Sequence, residues 1–249
     1  MSYAEHPDAF GSPGTPADVA VLYLDNHLLV VHKPAGLLVQ EDHTGDPDLL
    51  TLGKAYLKEV FDKPGNVFLG LVHRLDRPVS GVMVLARTSK AASRLSDQFR
   101  RRAPDKRYLA LVEGRLEGQG TREDYLAKID RQVRVVKPGH PEGKRAELRW
   151  RALATERRKE GNVSLVDVEL LTGRAHQVRV QLAALGHPIL GDLRYDAQRE
   201  FDGRNLALHS CRLEIEHPTK REPMAFPALP PSTWRGYFDE VVRELVDAP

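Results

Sequence analysis

Apolar and polar positions divide the chain into short runs with sharp punctuation between them. Two apolar runs, Val19–Leu24 and Leu28–Lys33, flank the polar triplet Asp25-Asn26-His27. Such runs around a polar turn predict a β-hairpin. Pro34-Ala35-Gly36 then turns the chain, because Pro fixes φ and Gly permits the reversal. Residues 49–61 read as a helix that stops before Pro64-Gly65. Residues 66–72 lead into a polar segment, 73–81, and residues 82–86 follow as a buried strand. Thr88-Ser89 can cap a helix over residues 90–102. Ala92, Leu95 and Phe99 share one face of it. Residues 108–112 form another strand, stopped by Gly114.

In the second half, Leu148, Trp150 and Ala152 alternate with Glu147, Arg149 and Arg151. Val166, Val168 and Leu170 alternate with Leu165, Asp167 and Glu169. Both patterns predict strands with one face more buried than the other. Val178, Leu182 and Leu185 lie at helical spacing within 175–185, and Gly186 is a helix stop. Residues 206–215 read as a long strand. A closing helix over 234–246 puts Phe238, Val241, Val242 and Leu245 on one face. Residues 137–143 read as an exposed loop, and 1–17 as a flexible leader rich in Gly, Pro and acidic side chains. Strands interleaved with helices and joined by hairpins give an α+β class, a mixed sheet with helices packed on it. No repeat or linker splits the chain, so 18–249 is expected to form one domain.

Composition narrows the function classes. The chain has 249 residues, 41% hydrophobic and 29% charged, which supports a sizeable core and excludes a disordered chain. A net charge of +2 does not by itself call for a nucleic-acid partner, so the distribution of charge carries more weight. The single cysteine, Cys211, excludes an internal disulfide framework and a cysteine-based zinc site. A reducing, cytoplasmic setting fits. The polar start lacks the pattern of a signal peptide. No stretch approaches the roughly 20 apolar residues of a membrane span, so no membrane association is expected.

Asp76 stands in a polar turn between two apolar runs. A carboxylate there is either a turn former or a functional group aimed from a rigid scaffold. Arg74 and Arg77 beside it favour an ionised, hydrogen-bonded carboxylate. His73, His176, His187, His209 and His217 raise the question of a metal, and His73 with Asp76 has a ligating spacing. No His-Glu-x-x-His pattern supports it. No glycine-rich phosphate cradle and no nucleophile elbow around Ser80 or Ser210 occur. Positive charge clusters at Arg100-Arg101-Arg102, Lys106-Arg107 and Arg157-Arg158-Lys159. The first two lie close in sequence to the Asp76 segment, as a phosphate-tracking surface would.

An ordered series of segments resembles the RluA-type family of pseudouridine synthases. Leu29-Val30-Val31-His32-Lys33-Pro34-Ala35-Gly36-Leu37 resembles the family's opening strand and turn. His73-Arg74-Leu75-Asp76-Arg77-Pro78-Val79-Ser80-Gly81 resembles the signature around its catalytic aspartate. Lys106-Arg107-Tyr108-Leu109-Ala110-Leu111-Val112 resembles the strand of its active-site tyrosine. Thr172-Gly173-Arg174-Ala175-His176-Gln177-Val178-Arg179 resembles the segment of its basic partner. Gly186-His187-Pro188-Ile189-Leu190-Gly191-Asp192 and Leu206-Ala207-Leu208-His209-Ser210 continue the series. Two departures stand out. Val79 replaces the family's usual Thr, and Gln40-Glu41 replaces a common His-Pro. The small N-terminal RNA-binding domain of many relatives is not expected, because about eighteen residues are too few to fold alone.

The resemblance implies the pseudouridine synthase fold: a mixed, mostly antiparallel sheet with flanking helices and a central active-site cleft. It implies an RNA partner, transfer RNA or ribosomal RNA, no metal and no cofactor, and a monomer is expected. Asp76 becomes the nucleophile, adding to carbon 6 of the base or attacking the anomeric carbon of the ribose. Arg179 becomes its salt-bridge partner and Tyr108 the ring beside the uracil. Arg74 fills the gap left by the extruded base. Residues 118–123 and 137–144 are expected to be recognition loops.

Overall fold

The computed structural model describes residues 8–12 and 14–247. The chain forms two compact units. The first holds Met1–Pro104 and Arg212–Ala228, and the second holds Asp105–Cys211 and Leu229–Pro249.

In the first unit, β1 (Ala9–Phe10), β2 (Val19–Leu24), β3 (Leu28–Lys33) and β5 (Ser80–Ala86) pair antiparallel in that order. The short β4 (Gly70–Leu71) also pairs with β5. The β2–β3 hairpin falls where the apolar pattern predicts it. Asp25 closes its turn, its carboxylate accepting the N–H groups of His27 and Leu28, each at 2.7 Å. Helix α1 (Leu49–Val60) starts on Asp48, whose side chain accepts the Thr51 N–H, and α2 (Ser89–Arg100) starts on Thr88. Ala91 and Leu95 of α2 pack on Leu28, Val30, Val82 and Val84 of the strands.

In the second unit, β6 (Asp105–Glu113), β7 (Gln119–Ile129), β8 (Gln132–Val136), β9 (Lys144–Arg158) and β10 (Gly161–Leu170) form antiparallel ladders in the order β6-β10-β9-β7-β8. Helix α3 (Gln177–Ala184) lays Val180 and Ala183 against Leu126, Ala146 and Tyr195. Strand β11 (Leu208–Glu216) begins in the second unit and ends in the first, where β12 (Pro223–Pro227) pairs antiparallel with it. Helix α4 (Asp239–Asp247) closes the described chain. The fold is α+β.

Four expectations need correction. Residues 119–123 belong to strand β7 rather than a loop. Their side chains are polar and exposed or half-buried, so no apolar alternation announces them. Cross-strand ion pairs such as Arg145–Glu123 hold them instead. Helix α4 starts at Asp239, because Gly236 and Phe238 both have positive φ. Helix α3 starts at Gln177, after His176 in a left-handed conformation. Within the expected leader, Ala9–Phe10 is a strand and the Phe10 ring stacks on Tyr56 at 4.7 Å. Residues 1–7 and 13 of that leader lie outside the described residues. Among the described residues, no helix is long and apolar enough to cross a membrane.

Candidate active site

Asp76 sits half-buried in a turn of the first unit. Its carbonyl oxygen accepts the Val79 N–H at 3.0 Å, closing the turn around Arg77 and Pro78. The opening motif grips this turn. The Gly36 N–H donates to the Arg77 carbonyl at 2.8 Å, and Arg77 Nε donates back to the Gly36 carbonyl at 3.0 Å. Arg77 also reaches Asp46 at 2.7 Å. On the far side, Lys33 pairs with Gly81 in the β3–β5 ladder. Val79, the departure from the family's Thr, is a buried side chain, and its backbone makes the turn's hydrogen bond.

Lys33 is 0% exposed. Its Nζ donates to the carbonyl oxygens of Pro34 and Leu37, each at 2.9 Å, and of Arg77 at 3.2 Å. Three acceptors match the three N–H groups of an ammonium. Burial pushes the amine down to about 7; the Asp76 carboxylate opposes that shift and the Arg77 guanidinium adds to it. Lys33 thus lies beneath the turn, close enough to Asp76 for the two to interact electrostatically. Its motif alone gives Lys33 no role. The signal was its register: Leu29, Val31 and Lys33 share one face of a strand whose apolar members are fully buried.

Arg74 is exposed two residues before Asp76. His73 stacks on Phe99 of α2 at 4.7 Å, and its Nε2 accepts the Val84 N–H at 3.0 Å. That lone pair is therefore committed to the backbone.

The second unit carries Tyr108 and Arg179. Tyr108 is buried on β6, opposite Val168 of β10. Further along β6, three of the sequence motifs join. The Glu113 N–H donates to the Pro188 carbonyl, the Leu190 N–H to Leu111, the Leu111 N–H to Ala207 and the Ala207 N–H to Leu190. Segments distant in sequence thus become one hydrogen-bonded patch beside the tyrosine strand.

Arg179 is buried on α3 and forks onto Asp192, with Nε to Oδ2 at 2.6 Å and a terminal nitrogen to Oδ1 at 2.7 Å. The side chains are 7% and 1% exposed. The guanidinium also lies over the Tyr195 ring, 5.1 Å from its centroid. Asp192 depends on Gly191, which has φ +83; a Cβ there would meet the Asn205 carbonyl oxygen at 2.3 Å. Its motif alone gives Asp192 no part. The Gly-Asp pair after an apolar run was its available signal.

The basic clusters divide. Arg107 pairs with Asp167, a carboxylate 3% exposed that Arg151 also reaches, so it is tied into the sheet. Arg158 pairs with Glu156 and covers the Tyr237 ring. Of the other histidines, His176 meets the Tyr195 hydroxyl at 2.8 Å, His187 the Glu113 carbonyl at 2.9 Å and His217 the Asp25 carboxylate at 2.8 Å. His209 is buried with its ring tilted against Trp234. Among the described residues, no group of three or more His, Cys, Asp or Glu is placed to hold a metal.

Comparisons with known proteins bear on the same segments. A family model described as RNA pseudouridylate synthase matches residues 27–184. The dual-specificity RNA pseudouridine synthase RluA of Haemophilus influenzae is 37% identical over 210 residues, covering 84% of this chain and 91% of that one. The tRNA pseudouridine synthase C of Salmonella typhimurium is 34% identical over 230 residues, covering 86% of each chain. The solved structure of human RNA pseudouridylate synthase domain containing 1 superposes with a TM-score of 0.70 at 25% identity, covering 96% of this chain and 99% of that one. The chain belongs to the RNA pseudouridylate synthase family of isomerases.

Proposed function

We propose that this protein isomerises a uridine in transfer RNA or ribosomal RNA to pseudouridine, with Asp76 as the nucleophile acting on a base turned out of its stack. The substrate class follows the relatives, which are named for transfer RNA, for the large ribosomal subunit, or as dual-specificity enzymes. The observation that carries the reading is the clasp around Asp76: a half-exposed carboxylate on a turn pinned through the Arg77 carbonyl, above the buried Lys33 amine.

The reaction breaks the bond between the ribose and N1, rotates the base and rejoins it through carbon 5, whose proton leaves. Atoms balance without a redox partner. A carboxylate suits covalent catalysis because it adds as a nucleophile and leaves again. Two first steps fit it, addition at carbon 6 and attack at the anomeric carbon. Lys33 keeps the Asp76 turn in one geometry through its contacts with backbone carbonyls, a preorganised support rather than one recruited during reaction. Tyr108 is the ring that packs on the uracil, and Arg179 is the family's basic residue. Arg74, exposed and charged, occupies the gap left by the extruded base, whose unstacking costs a few kcal/mol. The test uses RNA carrying tritium at carbon 5 of uridine. Release of tritium by the purified protein, in EDTA as well as without it, is expected. No release from any bulk RNA contradicts the proposal.

A further inference from the structure

Two members of the basic cluster Arg100-Arg101-Arg102, Arg100 and Arg101, border a groove. Helix α2 and the turn from β11 to β12 enclose a space of about 810 Å³, wholly within the first unit. Arg94, Arg100, Arg101 and Arg221 line it, with Asp97 and Glu216 as its two carboxylates. Asp97 is shared: it pairs with Arg100 one turn on and accepts from Arg101 Nε at 2.7 Å. The pairing holds two guanidiniums side by side while they remain 79% and 65% exposed.

Both walls are fixed. The buried Gln98 amide donates to the Glu216 carbonyl at 2.8 Å and accepts the Glu216 N–H at 3.1 Å. Arg94 donates to the Pro218 carbonyl at 2.7 Å. The fully buried His217 ring organises the turn itself. Its Nδ1 accepts the N–H groups of Thr219 and Lys220, at 3.2 and 3.0 Å, which leaves Nε2 as the donor to Asp25. A helix and a tight turn are thus locked together, with arginines along the opening between them.

We propose that this groove binds the sugar-phosphate backbone of the RNA, as a contact separate from the residues that handle the uridine. The inference rests on the proposed RNA substrate. Planar guanidiniums match phosphate oxygens through two hydrogen bonds at once. A guanidinium is more weakly hydrated than an ammonium, so shedding its water on binding costs less. Among the described residues, no aromatic side chain lines the groove, so it offers no stacking platform and reads position rather than sequence. Asp97 works as a spacer that presents its two partners, and the surplus of arginines over carboxylates sets the sign of the ligand.

The test measures binding of bulk transfer RNA and of a heteropolymeric RNA duplex across a salt series. It compares the full chain with an Arg100→Glu/Arg101→Glu/Arg221→Glu variant and with the single Arg221→Ala variant. Arg94 is left intact because it holds the turn. Affinity of the triple variant is expected to fall about tenfold or more, and its salt dependence to become shallower by about three phosphate contacts. Arg221→Ala, a change at an exposed side chain, is expected to lose about one. Turnover at saturating RNA is expected to be unchanged. Unaltered affinity and salt slope in both variants overturn the groove even if tritium release is normal. A lost slope in the variants, with no tritium release by the parent, keeps the groove and removes the proposed reaction.

Discussion

The ammonium of Lys33 donates to the carbonyl oxygen of Arg77, the residue that follows the proposed nucleophile, at 3.2 Å. Every acceptor of that ammonium is a backbone carbonyl in one of two motifs, Lys33–Leu37 and the Asp76 turn. One buried charge therefore ties the first motif to the second.

Replacing it has separable consequences. The Lys33 amine sits near 7 in the folded chain against an ordinary 10.5. Between those values the unfolded chain binds more protons, so this group makes stability rise with pH across that window. Below about 7 both states are protonated and the burial penalty is fully present. Lys33→Met is expected to flatten the rise, measured by chemical denaturation at pH 7 and pH 9. Activity is expected to fall even where the variant is folded, because three carbonyls lose their donor and the Asp76 turn loses its clasp.

Arg179 has a structural duty besides any catalytic one. Removing one member of a buried ion pair strands the other, at a cost of about 3–5 kcal/mol. Arg179→Ala is expected to destabilise the fold by that order. Asp192→Ala is expected to do likewise, and the double variant to cost less than the sum. Thermal melts of the cycle check this. Additive losses contradict the pairing.

Tyr108→Phe keeps the ring and removes the hydroxyl. If the ring's role is to pack on the base, KM changes little. If the hydroxyl helps remove the carbon 5 proton, turnover drops by about 100-fold, the lower end for general acid–base groups. Steady-state kinetics with saturating RNA separates the two.

Arg74→Ala removes an exposed side chain, so its melting behaviour is expected to stay within about 0.5 kcal/mol of the parent. Productive binding of structured RNA is expected to weaken. Single-turnover rates that match the parent's at low RNA concentration contradict a gap-filling role.

Much of this was legible in the chain. The β2–β3 hairpin, α1, α2 and β5 follow from apolar spacing and from caps such as Thr88, which local chemistry dictates. The first half of strand β7 was not legible, because its half-exposed polar residues rely on cross-strand pairs such as Arg145–Glu123 rather than on burial. At the site, Asp76 alone reads as a turn residue, and only its place in an ordered series of motifs gives it a role. Lys33 and Asp192 were hidden for another reason. A buried charge is disfavoured in isolation, and its compensation comes from partners distant in sequence: Arg77 for Lys33, and Arg179 for Asp192.

Asp76→Asn tests the nucleophile most directly, since it keeps the size and the turn while removing the charge. The measurement is tritium release from carbon-5-labelled uridine RNA, beside a melting curve for each protein. The parent is expected to release tritium in EDTA, and Asp76→Asn to melt like the parent and release none. A folded Asp76→Asn that turns over at a rate near the parent's contradicts the assignment.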